Sequence, residues 1–476
     1  MTGIDWVDSG IYIFNYIILA FAVSVMLSYI ILALISATAL KSYHKKNRFV
    51  NYNALLSLKG APWISIVAPA YNEGVVIIES INSLLSINYN NFEVIVVNDG
   101  SSDNTMELLI NAYQLEVTDR PLTSAIPSKK IKAVYKSSNP AFSKLLVIDK
   151  ENGKKADAIN AGINVSNMPY VVCIDVDCIM DKDVLLKLAK PFLEQHSKRI
   201  IATGGVVRIA NSCVIKAGKL IKVNAPDNLV ARAQVLEYLR AFLLGRMAWA
   251  KLDGLLLISG AFGMFDREIV VKAGGYDTNT VGEDMELVVR MRRYMIDSKL
   301  EYDVKYIPDP LCWTEAPESY EVLRKQRSRW TRGTMETLWI HKKILLNPKY
   351  KVIGMVSYPY WLLYEYLAPL LEFAGFLMSV LFVSLGILEW KFFLLLFAMV
   401  YAFSVMFSMM AIYTEEATFR RYTTFRDLNK LVAIAFLEPL FFHPFTVYAA
   451  LKGNWEKMKG QKGWGEMSRK GFKTSS

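Results

Sequence analysis

From Ile11 to Leu40 the chain reads "IYIFNYIILAFAVSVMLSYIILALISATAL", without one charged side chain. A helix needs roughly 20 such residues to cross a hydrocarbon core, and inside lipid its backbone polar groups must be satisfied within the helix itself. A cleaved secretory leader would begin basic and carry a shorter apolar stretch. Here the preceding "MTGIDWVDSG" has Asp5 and Asp8 and no Lys or Arg. A retained transmembrane helix over residues 1–41 is therefore predicted. The basic "KSYHKKNR" that follows places the next segment in the cytoplasm. At 53% hydrophobic residues and a mean hydropathy of +0.24, the chain needs either a very large core or a membrane.

Further apolar runs lie after about Leu345. "VIGMVSYPYWLLYEYLAPLLEFAGFLMSVLFVSLG" is long enough to span, with Pro369 as a kink. "FFLLLFAMVYAFSVMFSMMAIY" is a second span. The last apolar run, "LVAIAFLEPLFFHPFTVYAAL", contains Glu438, Pro439, His443 and Pro444. That content suits an interfacial or re-entrant helix. Three spans then leave both the Arg-rich loop before this run and the Lys-rich tail after it in the cytoplasm. The expected domains are a transmembrane helix at 1–41, a cytoplasmic domain at 42–345, membrane helices at 346–451 and a basic tail at 452–476. A regulatory domain after the membrane region is not expected.

Between the membrane segments, "ISIVAPAYNEG", "FEVIVVNDGSSDN", "IKAVYK", "KADAINAGINV" and "YVVCIDVD" alternate strand-like and helix-like patterns. This is an α/β domain with a mostly parallel sheet and helices on both faces. Ligands of such sheets bind beyond the carboxyl ends of the strands, where Glu73, Asp99, Asp175 and Asp177 fall. "VARAQVLEYLRAFLLGRMAWAKLDG" reads either as an amphipathic helix on the membrane surface or as a buried domain helix.

The net charge is +11. Much of the excess sits beside membrane segments and in the tail, so lipid head groups and a phosphate-bearing substrate account for it and no nucleic-acid partner is expected. The four cysteines show no CxxC spacing, which predicts free thiols. On a strand, Asp175 and Asp177 would face one side. Two such acids repel unless a cation or strong donors sit between them, and Mg2+ commonly shares one or two carboxylates with substrate phosphates.

"PAYNEG", "VNDGSSD", "GKKADAIN", "DVDC", "SGAFGMF", "VGEDMELVVR" and "QRSRW" occur in that order. The string resembles the membrane-embedded, processive family 2 glycosyltransferases, which include the synthases of cellulose, hyaluronan and poly-N-acetylglucosamine. The resemblance covers about Pro69 to Trp330; the membrane parts match only in layout. It implies a Rossmann-like glycosyltransferase A domain plus an α-helical transmembrane region, in an inner- or plasma-membrane enzyme. The reaction implied is inverting transfer from a UDP-sugar, UDP-N-acetylglucosamine or UDP-glucose, to a growing glycan that leaves through a channel of the protein's own helices. The alternative is a non-processive enzyme adding one sugar to a lipid. Retention of every expected acid argues against a non-catalytic binder.

By the same resemblance, Tyr71, Glu73 and Asp99 hold the uridine, and Lys155 and Asp157 belong to the substrate site. Lys154 stands where the family usually has a second Gly, which leaves the choice of the diphosphate-facing Lys open. Asp175 and Asp177 hold Mg2+ or Mn2+ and the diphosphate, with Asp177 the direct ligand, and Asp284 is the general base. Gln326, Arg329 and Trp330 recur at i, i+3 and i+4 on one helix face; Trp330 offers a stacking surface to a sugar and Arg329 a fork to diphosphate oxygens. "WGEMSR" resembles a mobile nucleotide-covering segment of hyaluronan synthases, which assigns Trp464 to the UDP site and Arg469 to the diphosphate. A basic tail lying on anionic lipid is the other reading of that segment. Partners implied are the lipid bilayer and accessory secretion proteins.

Overall fold

The computed structural model describes residues 3–56, 60–121, 123–194, 197–216 and 218–460. Trp464 and Arg469 lie outside the described residues. The strands are β1 (Ile64–Ala70), β2 (Phe92–Asn98), β3 (Leu115–Val117), β4 (Ile131–Ser137), β5 (Leu145–Lys150), β6 (Tyr170–Ile174), β7 (Ile179–Met180), β8 (Arg199–Ile209), β9 (Val214–Lys216), β10 (Lys219–Lys222), β11 (Phe262–Asp266) and β12 (Tyr302–Thr314). Ten of them form one sheet in the order β3-β4-β5-β2-β1-β6-β11-β8-β12-β7, and β9 and β10 make a separate hairpin.

The central strands β5, β2, β1 and β6 are parallel. They are the apolar runs of the sequence, and β2 is buried along its whole length, as a strand covered on both faces must be. The flanks depart from the mostly parallel expectation: β4 runs antiparallel to β5 and β11 antiparallel to β6. The Lys154–Val165 helix packs on β1 and β2. There Gly162 is required, because a Cβ would stand 2.3 Å from the Val67 side chain.

Among the described residues, four helices are long and apolar enough to cross a membrane: Ser9–Asn47, Ile353–Ser384, Trp390–Thr418 and Phe425–Met458. The first stays helical through its basic turn, past the expected boundary at 41. The second widens into π-type turns over Trp361–Tyr366 before Pro369 opens a regular α-helix at Ala368–Ser384. A proline near a helix start removes a donor that has no intrahelical partner anyway, so the irregularity precedes it. Phe376 and Leu395 are 62% and 72% exposed, an apolar surface suited to lipid.

The last helix, Phe425–Met458, is continuous through Pro439 and Pro444 and runs past the expected boundary at 451. At about 1.5 Å per residue it reaches along the α/β domain, and both its ends are bonded there. At the start, Asp427 accepts the Ala225 N–H at 3.0 Å and Lys430 meets Asp227 at 2.7 Å. At the end, Gly453 lies against the Ser328 backbone, Ser328 donates to Glu456, and Lys457 meets Glu336 at 2.5 Å.

The stretch with two open readings is a buried domain element. Helical turns at Leu229–Tyr238, π-type turns at Leu239–Arg246 and a short helix at Met247–Lys251 bury Val235, Leu236, Leu239 and Leu243. Contacts to the first and third long apolar helices make it a joint between the domain and those helices. Arg240 bonds both Ser408 and Glu438 there, and the buried Arg208–Glu415 pair ties β8 to the Trp390–Thr418 helix.

Candidate active site

Tyr71 and Glu73 follow β1, Asp99 follows β2 and Asp175 follows β6. These strands are parallel neighbours, so their carboxyl ends share one crevice. Tyr71 is 51% exposed at its rim. Glu73 is fixed through its backbone, with its N–H donating to Thr105 Oγ1 at 3.0 Å.

Beneath the crevice lies a cation that sequence reading missed. Lys150, the last residue of β5, is fully buried. Its Nζ is 2.6 Å from Asp99 Oδ1 and 2.6 Å from Asp157 Oδ1. Asp99 Oδ1 also accepts the Gly153 N–H at 3.0 Å. Burial pushes the Asp99 carboxyl upward, against these hydrogen bonds. Asp157, expected in the substrate site, faces the framework instead: its two oxygens accept the Lys129 N–H at 3.2 and 3.0 Å in addition to meeting Lys150. A lysine ending the run "LLVIDK" carries no local sign of burial; only the apposition of β5, β2 and the 154–165 helix creates it.

The structure distinguishes the two neighbouring lysines. Lys154 is exposed and has φ 71°, the left-handed region that favours glycine. That is a physical reason for the family's usual Gly at this position. Lys155 enters the crevice, with Nζ 2.5 Å from Asp175 Oδ1 and 3.8 Å from Glu283 Oε1, donating to Gly260 O at 2.9 Å. Burial opposes its charge, but the Asp175 and Glu283 carboxylates outweigh burial and raise its pKa.

Asp175 and Asp177 do not continue the strand. β6 ends at Ile174; the Asp175 N–H donates to Ala261 O at 2.9 Å, and Cys178 N–H closes a turn onto Asp175 O at 3.0 Å. The expectation that both acids face one side of a strand is corrected accordingly. Asp175 lines the cavity with its side chain 28% exposed, whereas Asp177 is 7% exposed. Two carboxylates within one turn are hard oxygen donors that fit Mg2+ or Mn2+. Among the described residues no group of three His, Cys, Asp or Glu could hold a metal ion, so this pair would need a ligand's phosphate oxygens to complete the shell.

On the opposite wall, Glu283 and Asp284 begin the Glu283–Asp297 helix, where the macrodipole favours acids. Burial pushes the Glu283 carboxyl up to about 7, with Lys155 opposing and Asp284 adding to the rise. Asp284 lies against Gly260, where a Cβ would stand 2.6 Å from Oδ2. Gln326, Arg329 and Trp330, on the Tyr320–Ile340 helix, line the same cavity. The Arg327 guanidinium lies over the Trp330 ring at 3.9 Å from its centroid. Gln326 Oε1 is buried without a hydrogen-bond partner among the described residues.

Two glycines set the spacing between these walls. Gly282, just before the acids, touches Gly333, one turn after Trp330; a Cβ on Gly333 would lie 2.6 Å from Gly282 Cα. Gly333→Ala is expected to push the two helices apart, costing about 1–3 kcal/mol. Thermal unfolding checks this; a wild-type unfolding temperature would mean the backbone contact carries no constraint.

The cavity, about 1600 Å³, extends from Lys155, Asp175, Asp284 and Trp330 to Phe14 and Phe376 on the apolar helices. Glu237 and Arg246 from the 229–246 segment, and Glu372 and His443 from the second and fourth long apolar helices, line it on the way.

Residues 61–333 match the family described as "Glycosyltransferase like family 2". Over 277 residues the chain is 30% identical to the poly-beta-1,6-N-acetyl-D-glucosamine synthase of Staphylococcus aureus (strain COL), covering 58% of this chain and 55% of that protein. The protein of the same name from Staphylococcus epidermidis is 28% identical over 291 residues, covering 60% of this chain and 59% of it. The match thus spans a little over half the length of these relatives. Among solved structures, the mannosyltransferase PcManGT from Pyrobaculum calidifontis, in complex with GDP-Man and Mn2+, aligns with a TM-score of 0.49 at 16% identity, covering 92% of this chain and 100% of that one. S. aureus TarS 1–349 with UDP-GlcNAc aligns with a TM-score of 0.37 at 14% identity, covering 84% of this chain and 92% of that one.

Proposed function

Because the chain belongs to the glycosyltransferase-like family 2, we propose that it polymerises a β-linked glycan from a UDP-sugar, by inversion, and passes the product into the membrane along its own cavity. The observation that carries this reading is the continuity of that cavity, from Asp284 and Trp330 to the faces of the apolar helices. The relatives' printed name favours UDP-N-acetylglucosamine as donor, with UDP-glucose second.

In this reading Tyr71 lies along the uracil, while Glu73 and Asp99 accept hydrogen bonds from the uridine. Asp99 does so through Oδ2, which neither the Lys150 nor the Gly153 bond uses. Lys155 and Arg329 face the diphosphate. Asp175 and Asp177 would hold Mg2+ or Mn2+ together with the diphosphate oxygens, and the bound cation neutralises charge on the leaving group. Trp330 stacks on the terminal acceptor sugar and Gln326 Oε1 takes a hydrogen bond from it. Asp284 removes the proton of the acceptor hydroxyl. The hydroxyl oxygen attacks the anomeric carbon from the face opposite the diphosphate, the bond to UDP breaks, and the β-linkage forms. Glu237, Arg246, Glu372 and His443 offer hydrogen-bond partners to a hydroxylated chain in transit.

The membrane arrangement follows the same proposal: three spans, a cytoplasmic catalytic domain, and the Phe425–Met458 helix lying along the interface. Support comes from the two ends of that helix. Ala225 and Ser328 belong to the catalytic domain and anchor opposite ends, which a helix crossing the bilayer from that domain could not satisfy.

The test is incubation of the full chain in detergent with labelled UDP-N-acetylglucosamine or UDP-glucose and Mg2+ or Mn2+, followed by product sizing. A high-mass glycan is expected. A single labelled lipid would replace the polymerase reading by one-step transfer, and UDP release without glycosyl product would overturn both.

A further inference from the structure

Lys155 does more in this structure than wait for a diphosphate. Its ammonium sits 2.5 Å from Asp175 Oδ1, and it is held there by Gly260 O at 2.9 Å, with Glu283 Oε1 at 3.8 Å on the far side. Asp175 is the more exposed member of the acid pair proposed to hold the divalent cation, and its backbone is fixed by Ala261 and Cys178. It cannot turn away from Lys155 by moving the main chain. An ammonium hydrogen-bonded to Oδ1 takes up lone-pair sites of that oxygen, and its charge repels a second cation at the same place.

From this geometry we infer that Lys155 is an electrostatic lock on the metal site, occupying Asp175 until a nucleotide diphosphate arrives to take the ammonium. The inference rests on the proposed nucleotide–metal reading and deepens it by making metal binding depend on the donor. Lys155 is built for the exchange. It belongs to the first turn of the Lys154–Val165 helix, and its long side chain can swing from Asp175 to a phosphate oxygen without moving the helix. Handing the ammonium over frees Asp175 at the moment phosphate oxygens become available to complete the metal shell. The same handover would loosen the tie among the "DVDC" turn, the "SGAF" segment and the Glu283 helix, which Lys155 bridges while the site is empty of nucleotide.

The test reads metal binding and needs no turnover. Mn2+ binding to the full chain in detergent is followed by electron paramagnetic resonance, with and without UDP, for wild type, Lys155→Met and Lys154→Met. Wild type is expected to bind Mn2+ at least tenfold tighter with UDP than without it. Lys155→Met is expected to bind Mn2+ alone at least tenfold tighter than wild type, and the enhancement by UDP should shrink correspondingly. Lys154→Met removes the same charge from the exposed neighbour and should change Mn2+ affinity less than twofold. Lys155→Arg, which keeps the cation, should remain nucleotide-dependent and serves if the Met variant does not fold. Mn2+ affinity without UDP that is unchanged or weaker in a folded Lys155→Met overturns the lock, as does an equal gain in Lys154→Met. Wild type that binds no Mn2+ even with UDP overturns the nucleotide–metal reading itself, and the lock with it.

Discussion

Asp284→Asn should lower the rate of sugar transfer by about 10²- to 10⁴-fold, the range expected when a positioned general base is lost, while UDP affinity stays within a few-fold of wild type. Asn keeps the shape that fits against Gly260 but cannot accept the acceptor's proton. The carboxylate stands at the start of a helix that contacts the Trp330 helix through Gly282 and Gly333, on the wall opposite the strand ends assigned to the nucleotide. The effect should therefore fall on kcat and kcat/KM together, the sign of an interaction made in the transition state. Steady-state kinetics and UDP titration check this. A variant that no longer binds UDP would move Asp284 to the donor side or to the framework.

Lys150→Met should have the largest effect on stability. The lysine is completely buried, and its Nζ lies 2.6 Å from both Asp99 and Asp157, themselves 3% and 6% exposed. Removing one partner of a buried ion cluster strands the others and costs about 3–5 kcal/mol. Here two carboxylates would be left facing each other below the nucleotide crevice. The expected outcome is a large drop in the unfolding temperature of the detergent-solubilised chain and loss of UDP binding, since Asp99 is held by the same contact. Adding Asp157→Asn should recover part of the stability by removing one stranded charge. A single variant with wild-type unfolding and UDP affinity would show that the cluster is incidental.

Much of the catalytic domain could be read from local pattern. β1, β2 and β6 announce themselves as short apolar runs that end abruptly in polar residues, and the crossing of such runs with helical segments is what a parallel sheet core requires. Glu73, Asp99 and Asp175 do follow strand ends, because a strand's carboxyl end is determined by chain direction alone. Gln326, Arg329 and Trp330 share one helix because helical spacing is fixed at 3.6 residues per turn. Asp175 and Asp177 were misread in geometry, since a period of two holds only while the strand is paired and pairing stops at Ile174. Asp157 was misassigned because nothing near it in sequence shows that Lys150 lies underneath.

What the amino-acid order determined by itself, then, is whatever depends on neighbours along the chain: the helices long and apolar enough to span lipid, the alternation that builds the α/β sheet, and the set of acids, lysines and aromatics available for chemistry. The tertiary structure decided which of these meet. It turned Lys155 into the crevice and left Lys154 exposed, buried Lys150 between two acids, pressed Gly282 against Gly333, and bonded both ends of the Phe425–Met458 helix to the α/β domain. The reason is distance along the chain. Asp99 and Lys150, or Gly282 and Gly333, are separated by some fifty residues, and side chains that far apart are brought together only by the packing of whole elements.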